Sequence, residues 1–295
     1  MYYTPLRYPG GKAKIAPYIK SIIKNRDGKL KYIEPFAGGA ACGLSLLFEG
    51  FVSEITINDF DLGIYSFWKS VVYDTDRFVI AIENAPLSIN EWSKQKKIYE
   101  EYIDSNSCFE LGFATFYLNR TNRSGILKAG PIGGKQQSGK WKLDARFNKV
   151  DLIKRIKKIG QYRHKINVTN IDLIKSFDEF RKLVDENTII YFDPPYVNKG
   201  KDLYMNYLTS EDHIALRNSI QTLKNVNWII TYDNCDLIRE AYSEFPIIDI
   251  YLTYSLCKKT RATEMMIFSD KSLVQIEEYK SNLIDYQAQL MAYHT

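Results

Sequence analysis

Thr188-Ile189-Ile190-Tyr191-Phe192-Asp193-Pro194-Pro195-Tyr196 decides how this chain is read. Its first five residues are β-branched or aromatic, the composition of a short buried strand. Pro194 and Pro195 end that strand, because proline offers no N–H to a ladder and fixes its own φ. A carboxylate (Asp193), a pair of proline carbonyls and an aromatic ring (Tyr196) are thereby held at the carboxyl end of a strand. In open α/β sheets that is where ligands bind. The competing reading is an ordinary proline turn with a solvated aspartate.

Working outward, strand-like runs recur at Lys31–Phe36, Glu54–Asn58, Ile166–Ile171, Val226–Tyr232, Ile247–Tyr254 and Glu264–Phe268, which with Thr188–Phe192 makes seven. Helical patterns follow several of them, at Ala41–Phe48, Ile64–Val72, Ser210–Leu223 and Cys235–Glu244. Strand alternating with helix predicts an α/β fold with a mostly parallel, doubly wound sheet. The short link Ser255–Ala262 leaves no room for a helical crossover, so the last two strands pair as an antiparallel hairpin.

One region breaks the alternation. Between Asp59 and Ile166 there is no clear sheet strand. Asn90–Tyr102 and Phe109–Leu118 read as helices, and Thr121–Lys140, rich in Gly, Asn, Gln and Ser, reads as loop with room for a small hairpin. This stretch is an inserted, mainly helical lobe. From Arg120 to Lys165 there are 14 Lys/Arg against 2 Asp/Glu, a balance of +12, so with the chain at +5 the other residues sum to −7. A basic segment of that density is a candidate phosphate-contacting surface. The alternative is a solvated helix face carrying Lys154, Arg155, Lys157 and Lys158.

Composition is that of an ordinary globular protein, 45% hydrophobic and 25% charged over 295 residues. No apolar run approaches a membrane span, and Met1–Arg7 lacks a signal-peptide core. The four cysteines are scattered, without CxxC, which points to a reducing cytoplasm and away from a zinc site or disulfide framework. Ser272–Thr295 has a helical pattern and no assigned role.

Glu34-Pro35-Phe36-Ala37-Gly38-Gly39-Ala40 follows the first strong strand and opens a helix. Its glycines suit a tight strand-to-helix turn with close backbone approach to a ligand, although such turns are often purely structural. It is neither a P-loop nor GxGxxG. Asp59 ends the next strand, twenty positions after Gly39, where an acid accepts from ribose hydroxyls in nucleotide-binding folds. Its competing role is a helix N-cap before Leu62. Asp172 follows the third strand run and either accepts from an adenine amino group or caps a helix at Leu173. Tyr8-Pro9-Gly10-Gly11-Lys12 suits a loop closing over an anionic or carboxylate-bearing ligand, or a plain surface turn.

Asp193 and the Pro194 carbonyl form a pair of acceptors suited to an exocyclic amino group on a flat base, with Tyr196 available to stack on its face. An aromatic amine is a poor nucleophile. Acceptors on its two hydrogens favour a tetrahedral nitrogen and stabilise the positive charge that grows during attack.

These motifs occur in the order seen in the Dam-type (D12 class) N6-adenine DNA methyltransferases, and the chain resembles that family over about residues 5 to 270. The resemblance implies a Rossmann-like seven-stranded methyltransferase sheet with a terminal antiparallel hairpin, S-adenosylmethionine as donor and a flipped adenine of duplex DNA as acceptor. It implies a catalytic domain over 1–60 and 165–270, a DNA target-recognition lobe over 61–164 and a tail over 271–295. On the same basis Tyr8, Lys12, Pro35, Phe36, Gly38 and Gly39 bind the cofactor, Asp59 its ribose and Asp172 the surroundings of its adenine, with Asp193 adjoining. Asp193, Pro194, Pro195 and Tyr196 grip the base.

In the lobe, Arg120 and Arg123 are candidates for guanine edges or phosphates, since arginine offers a bidentate fork, and Asn122 for an adenine edge. Lys128, Lys135, Lys140 and Lys142 suit phosphates, and Arg261 in the last hairpin suits DNA or closure of the site. The sulfonium is already an activated leaving group, so no metal is expected. A companion restriction endonuclease fits this reading, as does a monomer or weak dimer. Other readings stay open: an N4-cytosine or RNA-base methyltransferase on the same fold, or a catalytically silent DNA-binding protein. The stretch Asn119–Ile126 does not match the arrangement in GATC-reading members.

Overall fold

The computed structural model describes residues 3–7, 15–24, 30–197, 207–255 and 259–274, with backbone alone over 251–255 and 259–263. Tyr8 and Lys12, the side chain of Arg261 and the tail from 275 lie outside the described residues.

Seven strands form one sheet: β1 (Lys31–Glu34), β2 (Glu54–Asn58), β3 (Ile166–Thr169), β4 (Thr188–Phe192), β5 (Asn227–Asp233), β6 (Ile247–Ser255) and β7 (Lys259–Phe268). Their order is β3-β2-β1-β4-β5-β7-β6. The first five run parallel, and β7 enters antiparallel between β5 and β6. The order reverses at β1, with β2 on one side and β4 on the other, so the crevice of this α/β sheet opens above the carboxyl ends of β1 and β4. The expected hairpin is present and longer than expected, since regular pairing continues to Ser255↔Lys259.

The strands alternate between two apolar layers, as a period of two requires. Tyr32, Ile189, Tyr191 and Ile229 face one layer, while Ile33, Ile190, Phe192, Trp228, Ile230 and Tyr232 face the other. On the first side lie α1 (Ala16–Ile23), α2 (Ala41–Phe48) and α3 (Leu62–Tyr73). On the second lie α8 (Phe177–Arg181), α9 (Ser210–Ile220) and α10 (Asp236–Ala241).

The insert supplies α4 (Thr75–Asn84), α5 (Ile89–Tyr102), α6 (Phe109–Thr121) and α7 (Lys149–Gln161). Its aromatic centre, with Phe67, Phe78 and Phe116 in mutual ring contact, belongs to the same buried cluster as the sheet residues Tyr32 and Ile189. The approach of α6 to α3 is so close that a Cβ on Gly112 would stand 2.5 Å from the Ser66 carbonyl oxygen, so only glycine fits there.

The expected small hairpin is a short antiparallel contact, with the bridge Asn122↔Pro131 flanked by Arg123 N–H to Gly130 O at 3.1 Å and Ile132 N–H to Thr121 O at 2.8 Å. The basic face of α7 is divided. Lys154 and Lys157 are exposed, whereas Arg155 donates to Thr4 O at 2.8 Å and the Lys158 ammonium sits 4.6 Å from the Tyr3 and Phe48 ring centroids. Two charges that composition assigns to solvent or a partner therefore fasten the N-terminal segment. No helix among the described residues is long and apolar enough to cross a membrane.

Candidate active site

The turn after β1 is built to bring its backbone forward. Gly38 and Ala40 are both left-handed, at φ 46° and 45°. Glycine adopts this conformation freely, whereas for Ala40, at the N-cap of α2, it costs about 1 kcal/mol. Two buried side chains hold the turn. Trp68 of α3 donates its indole N–H to Gly38 O at 2.8 Å. Asn58, at the end of β2 and fully buried, donates from Nδ2 to Pro35 O (2.9 Å) and Ile171 O (3.1 Å). Its Oδ1 accepts from Thr169 Oγ1 and Ile171 N, each at 2.8 Å. One amide thus ties the glycine turn to the ends of β2 and β3. Pro35 and Gly39 are buried, and Phe36 is partly exposed.

Asp59 is not the helix cap. That role falls to Asp61, whose Oδ1 accepts from Ile64 N at 2.9 Å. Asp59 accepts instead from Gly38 N at 2.8 Å and Asp61 N at 2.9 Å, which fixes a largely buried carboxylate beside the glycine turn. Burial, with Asp61 nearby, pushes it up to about 7 against the pull of those two N–H groups. Asp172 does not cap a helix at Leu173, where the chain makes a turn and the next helix begins only at Phe177: its Oδ1 closes that turn, accepting from Ile174 N (2.9 Å) and Lys175 N (3.3 Å).

Asp193 stands just past β4, partly exposed, next to the buried Pro194 and the partly exposed Pro195. Thr231 of β5 donates to Asp193 Oδ1 at 2.9 Å, and Tyr191 Oη lies 2.8 Å from the same Thr231 hydroxyl. Tyr196, only 9% exposed, donates to Glu264 Oε1 of β7 at 2.6 Å. Burial, then the charges of Asp193 and Glu264, push its phenol well above the usual value, so it stays a donor. Val197 N–H donates to Asp233 Oδ1 at 3.0 Å, which closes the strap after Pro195 against the end of β5.

Glu34, the last residue of β1, faces the same space. Its Oε1 accepts from Tyr32 Oη and Gly43 N, both at 2.9 Å. Burial pushes its carboxyl up to about 7, the two hydrogen bonds pull it down, and Asp193 raises it further. An acid raised in the folded state binds more protons than the unfolded chain between its two values, so stability falls as pH rises from about 4.3 towards 7. Glu34→Gln keeps an acceptor for both donors and removes that penalty. Urea unfolding at pH 8 is expected to show a gain of roughly 1 to 3 kcal/mol, shrinking to near zero at pH 4. An equal change at both pH values would contradict the assignment.

The candidate DNA-facing residues divide by exposure. Arg123, Lys128, Lys135, Lys140 and Lys142 are exposed on the insert. Arg120 is largely enclosed, and its buried Nε has no hydrogen-bond partner among the described residues. Burial, then Arg7 and Arg155, press its guanidinium down to about 9. Asn122, expected at an adenine edge, is fully buried. Its Oδ1 accepts from Trp92 Nε1 at 2.7 Å, and its Nδ2 donates to Ile126 O and Leu127 O, each at 3.0 Å. Both amide hydrogens are taken and the side chain is sealed from solvent, so it cannot present an edge to a base, which corrects that expectation.

Asn119, not singled out by the sequence, clasps Arg7. It accepts from Arg7 N and donates to Arg7 O, both at 2.7 Å, directly before the Tyr8–Lys12 segment. Asn58, Trp68, Thr231 and Glu264 were equally unmarked. The only signal for the latter two is a polar residue standing in an otherwise apolar strand run.

Comparison with known proteins is consistent over most of the chain. The model of the D12 class N6 adenine-specific DNA methyltransferase family matches residues 8–256. The Type II methyltransferase M.MjaIII of Methanocaldococcus jannaschii is 28% identical over 72% of this chain and 76% of its own length. The Type II methyltransferase M.CviBI of Paramecium bursaria Chlorella virus NC1A is 27% identical over 72% and 77%. Among solved structures, a SAM-dependent methyltransferase from Agrobacterium tumefaciens aligns over 87% of this chain and 61% of its own, with 10% identity and a TM-score of 0.40.

Proposed function

The chain belongs to the D12 class N6 adenine-specific DNA methyltransferases, S-adenosylmethionine-dependent enzymes, and we propose that its reaction takes place in the crevice between the ends of β1 and β4. The observation that carries this reading is the meeting of two motifs at the switch point of the sheet. The glycine turn and Asp59 lie on one side, and Asp193–Tyr196 on the other.

The residues present fit the cofactor. A left-handed Gly38 brings the turn close, and Asp59 is a fixed, partly accessible acceptor of the kind that ribose hydroxyls need. Pro35, Phe36, Gly38, Gly39, Asp59 and Asp172 are assigned to it, together with Tyr8 and Lys12 outside the described residues. When bound, S-adenosylmethionine supplies a methyl group on a sulfonium, already activated for transfer.

Asp193 and the Pro194 carbonyl accept from the two N6 hydrogens of an extruded adenine and aim the nitrogen lone pair at the methyl carbon. Bound there, S-adenosylmethionine would supply the methyl group to that nitrogen, and Asp193 would stabilise the positive charge until the surplus proton passes to solvent water. Tyr196 and the Pro194-Pro195 corner shape the pocket wall.

DNA reading is assigned to residues 61–164, with catalysis in 1–60 and 165–270. Arg123, Lys128, Lys135, Lys140 and Lys142 present charge to the duplex, and Arg261 is assigned with them. Asn122 is left out. Arg120 is kept with them, because it is only partly exposed beside the like charges of Arg7 and Arg155, a placement that a phosphate at its accessible edge relieves. A companion restriction endonuclease, a monomer or weak dimer and a cytoplasmic location accompany this reading.

A single titration tests both halves. The recognised sequence is read from modified bases in DNA of cells expressing the chain. In that duplex, 2-aminopurine replaces the target adenine. Binding should raise its fluorescence, as unstacking requires. The logarithm of affinity should fall steeply with the logarithm of salt, and Arg120→Ala should weaken binding about tenfold and reduce that slope by about one. Binding without a fluorescence gain, or indifferent to salt, would refute the corresponding half.

A further inference from the structure

Thr231 occupies a position where a central strand asks for valine. It lies in Trp228-Ile229-Ile230-Thr231-Tyr232, is fully buried, and stands one step beyond the last β4–β5 pair, Phe192↔Ile230. Burying a hydroxyl without partners costs on the order of 1 to 3 kcal/mol, so its presence requires bonds. It makes two, to Asp193 Oδ1 at 2.9 Å and to Tyr191 Oη at 2.8 Å.

The direction of the chain follows from counting protons. Threonine has one, and an ionised carboxylate only accepts, so that proton points to Asp193. The Tyr191 phenol must then donate to Thr231. Burial, followed by the charge of Asp193, pushes the Tyr191 phenol well above its ordinary value, which keeps that proton in place. Tyr191 and Asp193 are two residues apart, hence on one face of the strand, and Tyr191 is only 2% exposed. Both supports therefore sit on rigid central strands, and the chain ends on the group that meets the base.

We infer that Thr231, backed by Tyr191, is a positioning residue for methyl transfer, fixing one oxygen of Asp193 so that the carboxylate keeps the orientation the amine requires. This rests on the role assigned to Asp193 above. The hydroxyl relay acts on the chemical step and not on the affinity for either substrate, and that separation is what the experiment reads.

The test compares Thr231→Val, Thr231→Ser and Tyr191→Phe in single-turnover methylation with enzyme in excess. Cofactor affinity is measured by calorimetry and DNA affinity by anisotropy. Thr231→Val should slow the chemical step tenfold to a hundredfold, roughly the loss that follows misplacement of a reacting group, with both affinities within about threefold of wild type. Thr231→Ser restores the hydroxyl and should lie within about threefold of the wild-type rate. Tyr191→Phe should fall between the two.

A wild-type rate in Thr231→Val overturns the inference. So does an equal loss in the valine and serine variants, or a loss of affinity that matches the loss of rate. Should Thr231→Val fail to fold, Tyr191→Phe carries the same comparison of rate against affinity. Asp193→Asn separates this inference from its premise. If that variant turns over normally, the reading of Asp193 is wrong. If it is inactive while Thr231→Val is normal, only the relay is wrong.

Discussion

Asp193→Asn is expected to lower the single-turnover rate of methyl transfer by about a thousandfold, the upper range for loss of one oriented electrostatic partner in a transition state. The substitution is nearly isosteric. Thr231 can still donate to the remaining amide oxygen, so the local packing around Thr231 and Tyr191 survives. What changes is the other end of the side chain: a carboxylate that only accepts becomes an amide that also donates. An amine hydrogen facing an NH2 group meets a donor, and the positive charge growing on nitrogen loses its counter-charge. Cofactor and DNA affinities should move little, since neither the glycine turn nor the basic insert is touched. Radiolabelled methyl transfer to DNA, paired with calorimetric titration of S-adenosylmethionine, checks both statements. Wild-type turnover would end the proposed role of Asp193.

The second large effect concerns a residue that touches no substrate in the proposed reaction. Asn58→Leu should destabilise the protein by roughly 4 kcal/mol or more, as expected when several buried hydrogen-bonding groups are orphaned together. The side chain is fully buried and uses all its donors and acceptors, on Pro35 O, Ile171 O, Thr169 Oγ1 and Ile171 N. Leucine fills similar space and satisfies none of them. The glycine turn then loses the tie that holds Pro35, so cofactor affinity should fall with stability. Urea unfolding with and without S-adenosylmethionine measures both. A variant as stable as wild type would mean that other groups or water can replace the amide.

The centre of the parallel sheet was legible because β4 and β5 are buried on both faces and read as nearly continuous apolar runs, whereas the outer β2 and β3 show as short alternating runs. Element ends were less legible. β1 was expected to reach Phe36 and stops at Glu34, where the turn residues leave the ladder, and the final hairpin runs longer than its polar link suggested. The helices at Ala16–Ile23 and Thr75–Asn84 were not anticipated.

Within the site, Asp193 could be found from its neighbours in sequence, because proline chemistry is local. Thr231 and Glu264 could not, since their partners lie 38 and 68 positions away. The misjudgement over Asn122 has the same origin. An asparagine in a basic loop looks like a base reader until its amide is found bonded to Trp92 and to two carbonyls beneath it. Within the basic segment, charge alone could not show that Arg155 and Lys158 are occupied with Thr4 and with the rings of Tyr3 and Phe48.

The aromatic centre of the insert and one face of the sheet belong to a single buried cluster, and Gly112 lets α6 lie against α3 with no room for a side chain. With DNA reading assigned to residues 61–164 as proposed, exchanging that segment alone between relatives is expected to disturb the shared core as well. Such a chimera would have to rebuild the ring contacts among Phe67, Trp68, Phe78 and Phe116, which belong to the same buried cluster as the sheet. On the same proposal, substitutions confined to the exposed Arg123, Lys128, Lys135, Lys140 and Lys142 alter what faces DNA while leaving the helices that carry them in place.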